Sequence, residues 1–204
     1  MSAEQRSAEW FFERVGCATA SRFKDVLAKL KSGKPSEKRE TYLMEVVVER
    51  LTGKPNEHFS SAAMEHGQAM EPQSRMSYEA ATGLIVEEVG FIKHPTIPMV
   101  GGSPDGTIGD DGLWESKSPY NTANHLYAIL EGMPPEHMAQ IQGLLWVTNR
   151  RWCDFQSYDP RLPAPLDRYV QRIERDDAYI AALEAEVVQF LAGVDAMFKT
   201  LAER

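Results

Sequence analysis

"GGSPDGTIGDDGLWESKSP" occupies residues 101–119 and sets Asp105, Asp110, Asp111, Glu115 and Lys117 among glycines and prolines. The glycines mark turns around short strand-like runs. Side chains at i and i+2 of a strand point the same way, so Glu115 and Lys117 share a face with Leu113 beneath them. Asp105, between Pro104 and Gly106, falls at the end or bend of a neighbouring strand, and a hairpin through residues 109–112 can bring its carboxylate beside Glu115. Two carboxylates at one point repel each other unless a cation lies between them. Few, hard oxygen ligands suit Mg²⁺, with Mn²⁺ as the alternative, and the backbone carbonyl of Ser116 is available as a third ligand. Beside such an ion the Lys117 ammonium is disfavoured, and the lysine can orient or deprotonate a water that attacks phosphorus. The plainer reading is a polar hairpin in water, with Glu115 and Lys117 an ordinary ion pair on a strand.

The rest of the chain bears on that choice. Its 204 residues, 43% apolar and 25% charged, suit one globular domain, taken as 1–204. No run approaches the roughly 18 apolar residues of a membrane span. The N-terminus "MSAEQRSAEWFFERVG" carries charges where an export signal has an apolar core, which implies a cytoplasmic protein. Cys17 and Cys153 are then free thiols in a reducing compartment, and two cysteines cannot supply the four thiolates of an ordinary iron–sulfur cluster. The net charge of −8 argues against nucleic-acid binding when taken alone. Between residues 14 and 39, however, eight basic residues face two acids, so that segment is +6 and the remainder −14. This fits a local phosphate-facing surface on an acidic body, or solvated helix faces joined by the lysine-rich loop "KLKSGKPSEKR".

Periodicity predicts a helix over residues 19–33, capped by Thr19 or Ser21 and ended by Gly33, and a second from Ser36 to Gly53. A third runs over residues 61–82, with a kink or restart near Glu71 because Pro72 forfeits a hydrogen bond. Strands follow at 84–95, 99–109 and 112–119, helices at 121–133 and 135–149, strands at 151–160 and 168–175, and a long helix from 176 to about 203. The order predicts an α/β (α+β) domain with a mixed central sheet flanked by helices.

"SPDG…ESK" is similar to the motif of the PD-(D/E)xK nuclease superfamily, whose core is restriction-endonuclease-like. Four further segments, "RVGCATASRF", "HGQAMEP", "HMAQIQGLLWVT" and "YDPR…VQRIERDDAYI", resemble those of the phage lambda exonuclease family of viral recombination exonucleases, in the same order, from about Arg14 to Tyr179. The resemblance implies that Asp105, Glu115 and the Ser116 carbonyl hold the metal and that Lys117 positions or activates the water. It implies that Glu71 reaches the same site from the third helix, that Gln140 hydrogen-bonds near Lys117, and that Arg14 and Ser21 bind the 5′-phosphate. It further implies a Mg²⁺-dependent 5′→3′ exonuclease that degrades one strand of double-stranded DNA from its ends to mononucleotides. It also implies that the 3′ single strand so exposed passes to a single-strand annealing protein. The resemblance also implies a homotrimer ring and a phage or prophage origin. Pro72 after Glu71, and Ser116 where a bulkier apolar residue is commoner, depart from the family pattern. An endonuclease or resolvase of the same superfamily and a catalytically silent DNA-end-binding module are the alternatives.

The five histidines, His58, His66, His94, His125 and His137, lack zinc spacing and read as surface or core residues; His66, five residues before Glu71, is the one worth testing. Asp110 and Asp111 read as turn residues. Trp146 and Trp152 read as core, and Trp10, Phe11 and Phe12 as a subunit contact or a lid on the core.

Overall fold

The computed structural model describes residues 3–56 and 60–204, so His58 lies outside the described residues. The first half comprises α1 (Ala8–Glu13), β1 (Ala18–Thr19), α2 (Phe23–Val26), α3 (Glu37–Thr52) and α4 (Ala62–Thr82). Then come β2 (Ile92–Lys93), β3 (Val100–Gly102), β4 (Gly106–Ile108) and β5 (Gly112–Lys117). The chain continues with α5 (Thr122–Glu131), α6 (Met138–Thr148), β6 (Trp152–Tyr158), β7 (Arg168–Glu174) and α7 (Asp177–Ala202). The mixed α/β architecture agrees with expectation, but its strands form two sheets, ordered β1-β3-β2 and β4-β5-β6-β7.

β5 organises the second sheet. It runs parallel to β6, and that crossover is carried by α5 and α6, as parallel pairing requires. Its side chains are buried on both faces. Leu113 enters the main core with Ile141, Leu144 and Phe155, whereas Trp114 enters a smaller cluster with Tyr78, Val86 and Ile108 under α4. Truncation of a buried leucine such as Leu113 costs about 2–5 kcal/mol. α6 is buried on nearly all sides, from Ala139 through Val147, which fits a helix that is apolar all round.

The strand predicted over 99–109 divides at Ser103-Pro104-Asp105. β3 belongs to the first sheet and β4 to the second, and Pro104, lacking an N–H, cannot continue a ladder. The expected strand at 84–95 divides likewise between the two sheets: Glu87 bridges Thr107 in β4, and Ile92–Lys93 pairs with β3. Gly106 permits that bridge, since a Cβ there would collide with Val86 Cγ1 and crowd the Glu87 carbonyl.

Two helix predictions also need correction. Residues 19–33 are not one helix. Thr19 pairs with Gly101, Ala20–Arg22 forms a 3₁₀ turn, α2 ends at Val26, and Lys29 then bridges Pro35. The apolar period fails because Leu30 is exposed. Conversely, α4 runs unbroken through Pro72. Pro72 and Gln68, whose carbonyl loses its partner, are both exposed, so water can satisfy the freed acceptor. Among the described residues no helix is long and apolar enough to cross a membrane.

Candidate active site

β4 is only three residues long. It pairs with β5 from Gly112 to Trp114 and leaves the edge of Glu115–Lys117 without a strand on that side. Asp105 turns into this gap, and its Oδ2 accepts a hydrogen bond of 2.8 Å from the Ser116 N–H. The N–H and C=O of one strand residue point to the same edge, so the Ser116 carbonyl also faces the Asp105 side. The Ser116 hydroxyl lies 2.6 Å from that of Ser74, which ties β5 to α4.

Glu115 is 1% exposed. Its Oε1 accepts from Lys117 Nζ and from Gln140 Nε2, each at 2.5 Å. Its Oε2 is buried without a hydrogen-bond partner among the described residues. Burial pushes the Glu115 carboxyl up to about 7, the Asp105 charge pushes the same way, and Lys117 opposes both. Glu71 reaches in from α4. Burial and then Asp105 raise its pKa, against the pull of an ion pair with Arg6. For Lys117, burial disfavours the ammonium, but Glu115, Asp105 and Glu71 outweigh it, and the net shift is upward. The expectation of a disfavoured ammonium therefore holds only beside a bound cation. Without one, the lysine is itself the counter-charge to the carboxylates.

Asp105, Glu71, Ser116 and Lys117 line a cleft of about 1090 Å³. Gln140 meets Glu115 from α6. Arg14 and Ser21 instead line a neighbouring cavity of about 860 Å³. The Arg14 guanidinium sits 3.9 Å over the Trp10 ring and makes no hydrogen bond or ion pair among the described residues. Burial lowers its pKa. Ser21 is exposed on the 3₁₀ turn, 3.4 Å from the Thr19 hydroxyl. Since no long helix begins there, no helix dipole adds to the arginine and the hydroxyl in this cavity.

Among the described residues, no three or more His, Cys, Asp and Glu side chains are arranged to hold a metal ion. The donor set to be tested is smaller: two carboxylates and one backbone carbonyl. It fits a hard divalent cation, because Glu115 keeps a bare buried oxygen and the neighbouring Asp105 charge pushes the Glu115 pKa up.

The other marked residues fall outside this site. Asp110 and Asp111 are exposed at the β4–β5 turn, at the far end of the hairpin. His66 meets Tyr120 edge-on at 5.7 Å, and His125 is fully buried between Ser157 and the Leu166 carbonyl. Arg39 is buried, and with Lys29 it pairs with Glu186 of α7, so part of the basic segment serves the fold. Trp146 is core, Trp152 is half-buried under Arg172, and Trp10 is buried while Phe12 is exposed. Two further residues stand at the cleft, His137, read from the sequence only as surface or core, and Arg6, not singled out at all. His137 stacks on Phe155 in the cleft wall, and burial lowers its pKa to about 4. Arg6 meets Glu71, and no spacing in the sequence announces it.

Comparison with known proteins gives the class first: the chain is a nuclease. An alkaline exonuclease from Laribacter hongkongensis, LHK-Exo, has a crystal structure that matches with a TM-score of 0.89 at 45% identity over 97% of both chains. The structure of LHK-Exo in complex with dAMP matches equally, at 46% identity. A phage-related exonuclease from Haemophilus somnus 129PT shares the fold, with a TM-score of 0.72 at 13% identity over 91% of this chain and 96% of that one. The Escherichia coli (strain K12) protein ExoD is 35% identical over 65 residues, which is 32% of this chain and 74% of ExoD. Residues 9–151 match the YqaJ-like viral recombinase domain, and the chain belongs to that family, the lambda exonuclease family.

Proposed function

We infer that residues 1–204 act as one nuclease domain, a Mg²⁺-dependent exonuclease that degrades one strand of linear double-stranded DNA in the 5′→3′ direction. The observation that carries this reading is the meeting of Asp105, Glu115, Lys117 and Gln140 at a strand edge that opens on a cleft. That LHK-Exo has been crystallised with dAMP supports a mononucleotide product.

Asp105, Glu115 and the Ser116 carbonyl would hold the cation, with Mn²⁺ as a substitute. When bound, the ion supplies charge stabilisation at the phosphorus and acidifies water. Lys117, relieved of its pairing with Glu115, positions the attacking water and takes up its proton. Gln140 holds Glu115 in place, and Glu71 adds a third carboxylate on the α4 side. The water oxygen bonds to phosphorus, the P–O3′ bond breaks, and the leaving 3′ oxygen is protonated. The released nucleotide keeps its 5′-phosphate, and the remaining strand gains a new one. Arg14 and Ser21 would hold that terminal phosphate, the guanidinium lying over the Trp10 ring and making no ion pair among the described residues. The 3′ single strand would pass to an annealing protein. A homotrimer ring around DNA and a cytoplasmic, phage-derived setting complete the reading.

Timed digestion of end-labelled linear duplexes, 5′-phosphorylated and not, with Mg²⁺ or with EDTA, tests it. The expected result is Mg²⁺-dependent release of mononucleotides from 5′ ends and intact closed circular DNA. Cleavage of the circle, or release from 3′ ends, would overturn the reading.

A further inference from the structure

Arg6 is held in a conformation that its residue type does not favour. Its φ of 70° lies in the left-handed region, where a non-glycine residue is uncommon, and such departures cluster at functional sites. The residues around it enforce it. Gln5 Nε2 donates to the carbonyls of Val89 and Pro104, each at 2.8 Å, and Ser7 caps α1 by accepting from the Trp10 N–H. Trp10 Nε1 donates to Ser103 Oγ at 2.9 Å. The N-terminal segment is thus fastened on both sides to the turn that carries Asp105.

The enforced conformation sends the Arg6 guanidinium to Glu71, with its side chain still 42% exposed. Arg6 also lines the cleft of Asp105, Ser116 and Lys117, the cavity of Arg14 and Ser21, and a third cavity of about 400 Å³ between α4 and residues 88–90. It therefore stands at the boundary between the proposed cation site and the proposed 5′-phosphate site. A cation beside Glu71 would repel the guanidinium and remove the reason for the ion pair. The DNA phosphate brought in at the same place offers two anionic oxygens to the planar guanidinium fork.

We propose that Arg6 is a substrate-binding residue that exchanges Glu71 for a non-bridging oxygen of the scissile phosphodiester. This rests on the nuclease reading above. No bond is made or broken in the exchange: the guanidinium stays protonated and changes its anionic partner.

The test is the affinity for a linear duplex in Ca²⁺, measured across a KCl series, for wild type, R6Q, R6G, E71Q and the R6Q/E71Q double variant. R6Q is expected to bind about tenfold more weakly, with a salt slope shallower by about 0.7–0.9, the signature of one lost phosphate contact. The same loss is expected on 5′-phosphate and 5′-hydroxyl ends, whereas R14Q should lose affinity for the phosphorylated end alone. R6G, which relieves the left-handed backbone, should lose as much affinity with a Tm no lower than wild type. If R6Q binds like wild type, or if its loss vanishes in the E71Q background, Arg6 serves Glu71 only and the proposal is overturned. Wild-type protein that neither binds nor cuts linear duplex overturns the nuclease reading, and the proposal with it.

Discussion

Two buried carboxylates lie on adjacent strands, and the structure treats them oppositely. Asp154 on β6 is 4% exposed and fully partnered: Tyr78 donates its hydroxyl to Oδ2 at 2.6 Å, and Arg172 grips both oxygens at 2.8 Å. Glu115 on β5 is 1% exposed, crowds Lys117 and Gln140 onto one oxygen, and leaves the other bare. A buried acceptor without a partner costs about 1–3 kcal/mol. A fold that satisfies Asp154 so completely could satisfy Glu115 too. The difference marks Asp154 as a fastening between β6, β7 and α4, and on the proposed reading Glu115 is the group kept ready for a ligand.

The largest effect that sharpens this contrast is expected at Lys117. Lys117→Ala should lower cleavage by about 10³-fold or more while DNA binding in Ca²⁺ is retained. Normal cutting by that variant would leave Glu115–Lys117 a plain ion pair. Next comes the paired comparison itself. Glu115→Gln should lose at least about 10²-fold in rate with its Tm kept or raised, because it removes a poorly satisfied buried charge. Asp154→Ala should lose about 1–3 kcal/mol of stability, since it strands the Tyr78 hydroxyl, and should cut normally at temperatures where it is folded. Thermal melts and rates on the two variants would break the comparison if both unfold alike.

Gln140→Ala should cost about 10–100-fold, the range for a residue that orients a ligand rather than meeting substrate. Steady-state rates at saturating Mg²⁺ check it, and an unchanged rate would remove Gln140 from the site.

The smallest expected effect is on stability against pH. The folded-state pKa of Glu115 is raised, to about 7. Its stabilising contribution is therefore present below the unfolded value of about 4.3 and is lost as pH rises to about 7. Cation-free protein should melt at lower temperature at pH 8 than at pH 5 from this term, and Mg²⁺ should recover the stability lost at pH 8. In Glu115→Gln that share of the slope should vanish; an identical slope in the variant would assign it to other groups.

The residues legible in the sequence were those tied to local spacing. Asp105, Glu115 and Lys117 follow from strand alternation and a hairpin, and the structure joins them as that geometry requires. Gln140 and Glu71 came only through family resemblance, because nothing local says that α6 and α4 converge on β5. The two-sheet division was not legible: residues 84–95 and 99–109 read as continuous strands, and only tertiary pairing cuts each between two sheets. Residues 19–33 show the opposite failure, a helical period overridden when Ala18–Thr19 pairs with β3. Arg6 was invisible because its role depends on a backbone angle and on a contact 65 residues away.

Calorimetric titration of Mn²⁺ into the DNA-free protein at pH 8 is the most direct test of the claim that the bare Glu115 oxygen belongs to a cation. Saturable binding to wild type that disappears in Glu115→Gln and in Asp105→Asn is the predicted result. Saturable binding of equal affinity to all three would contradict it.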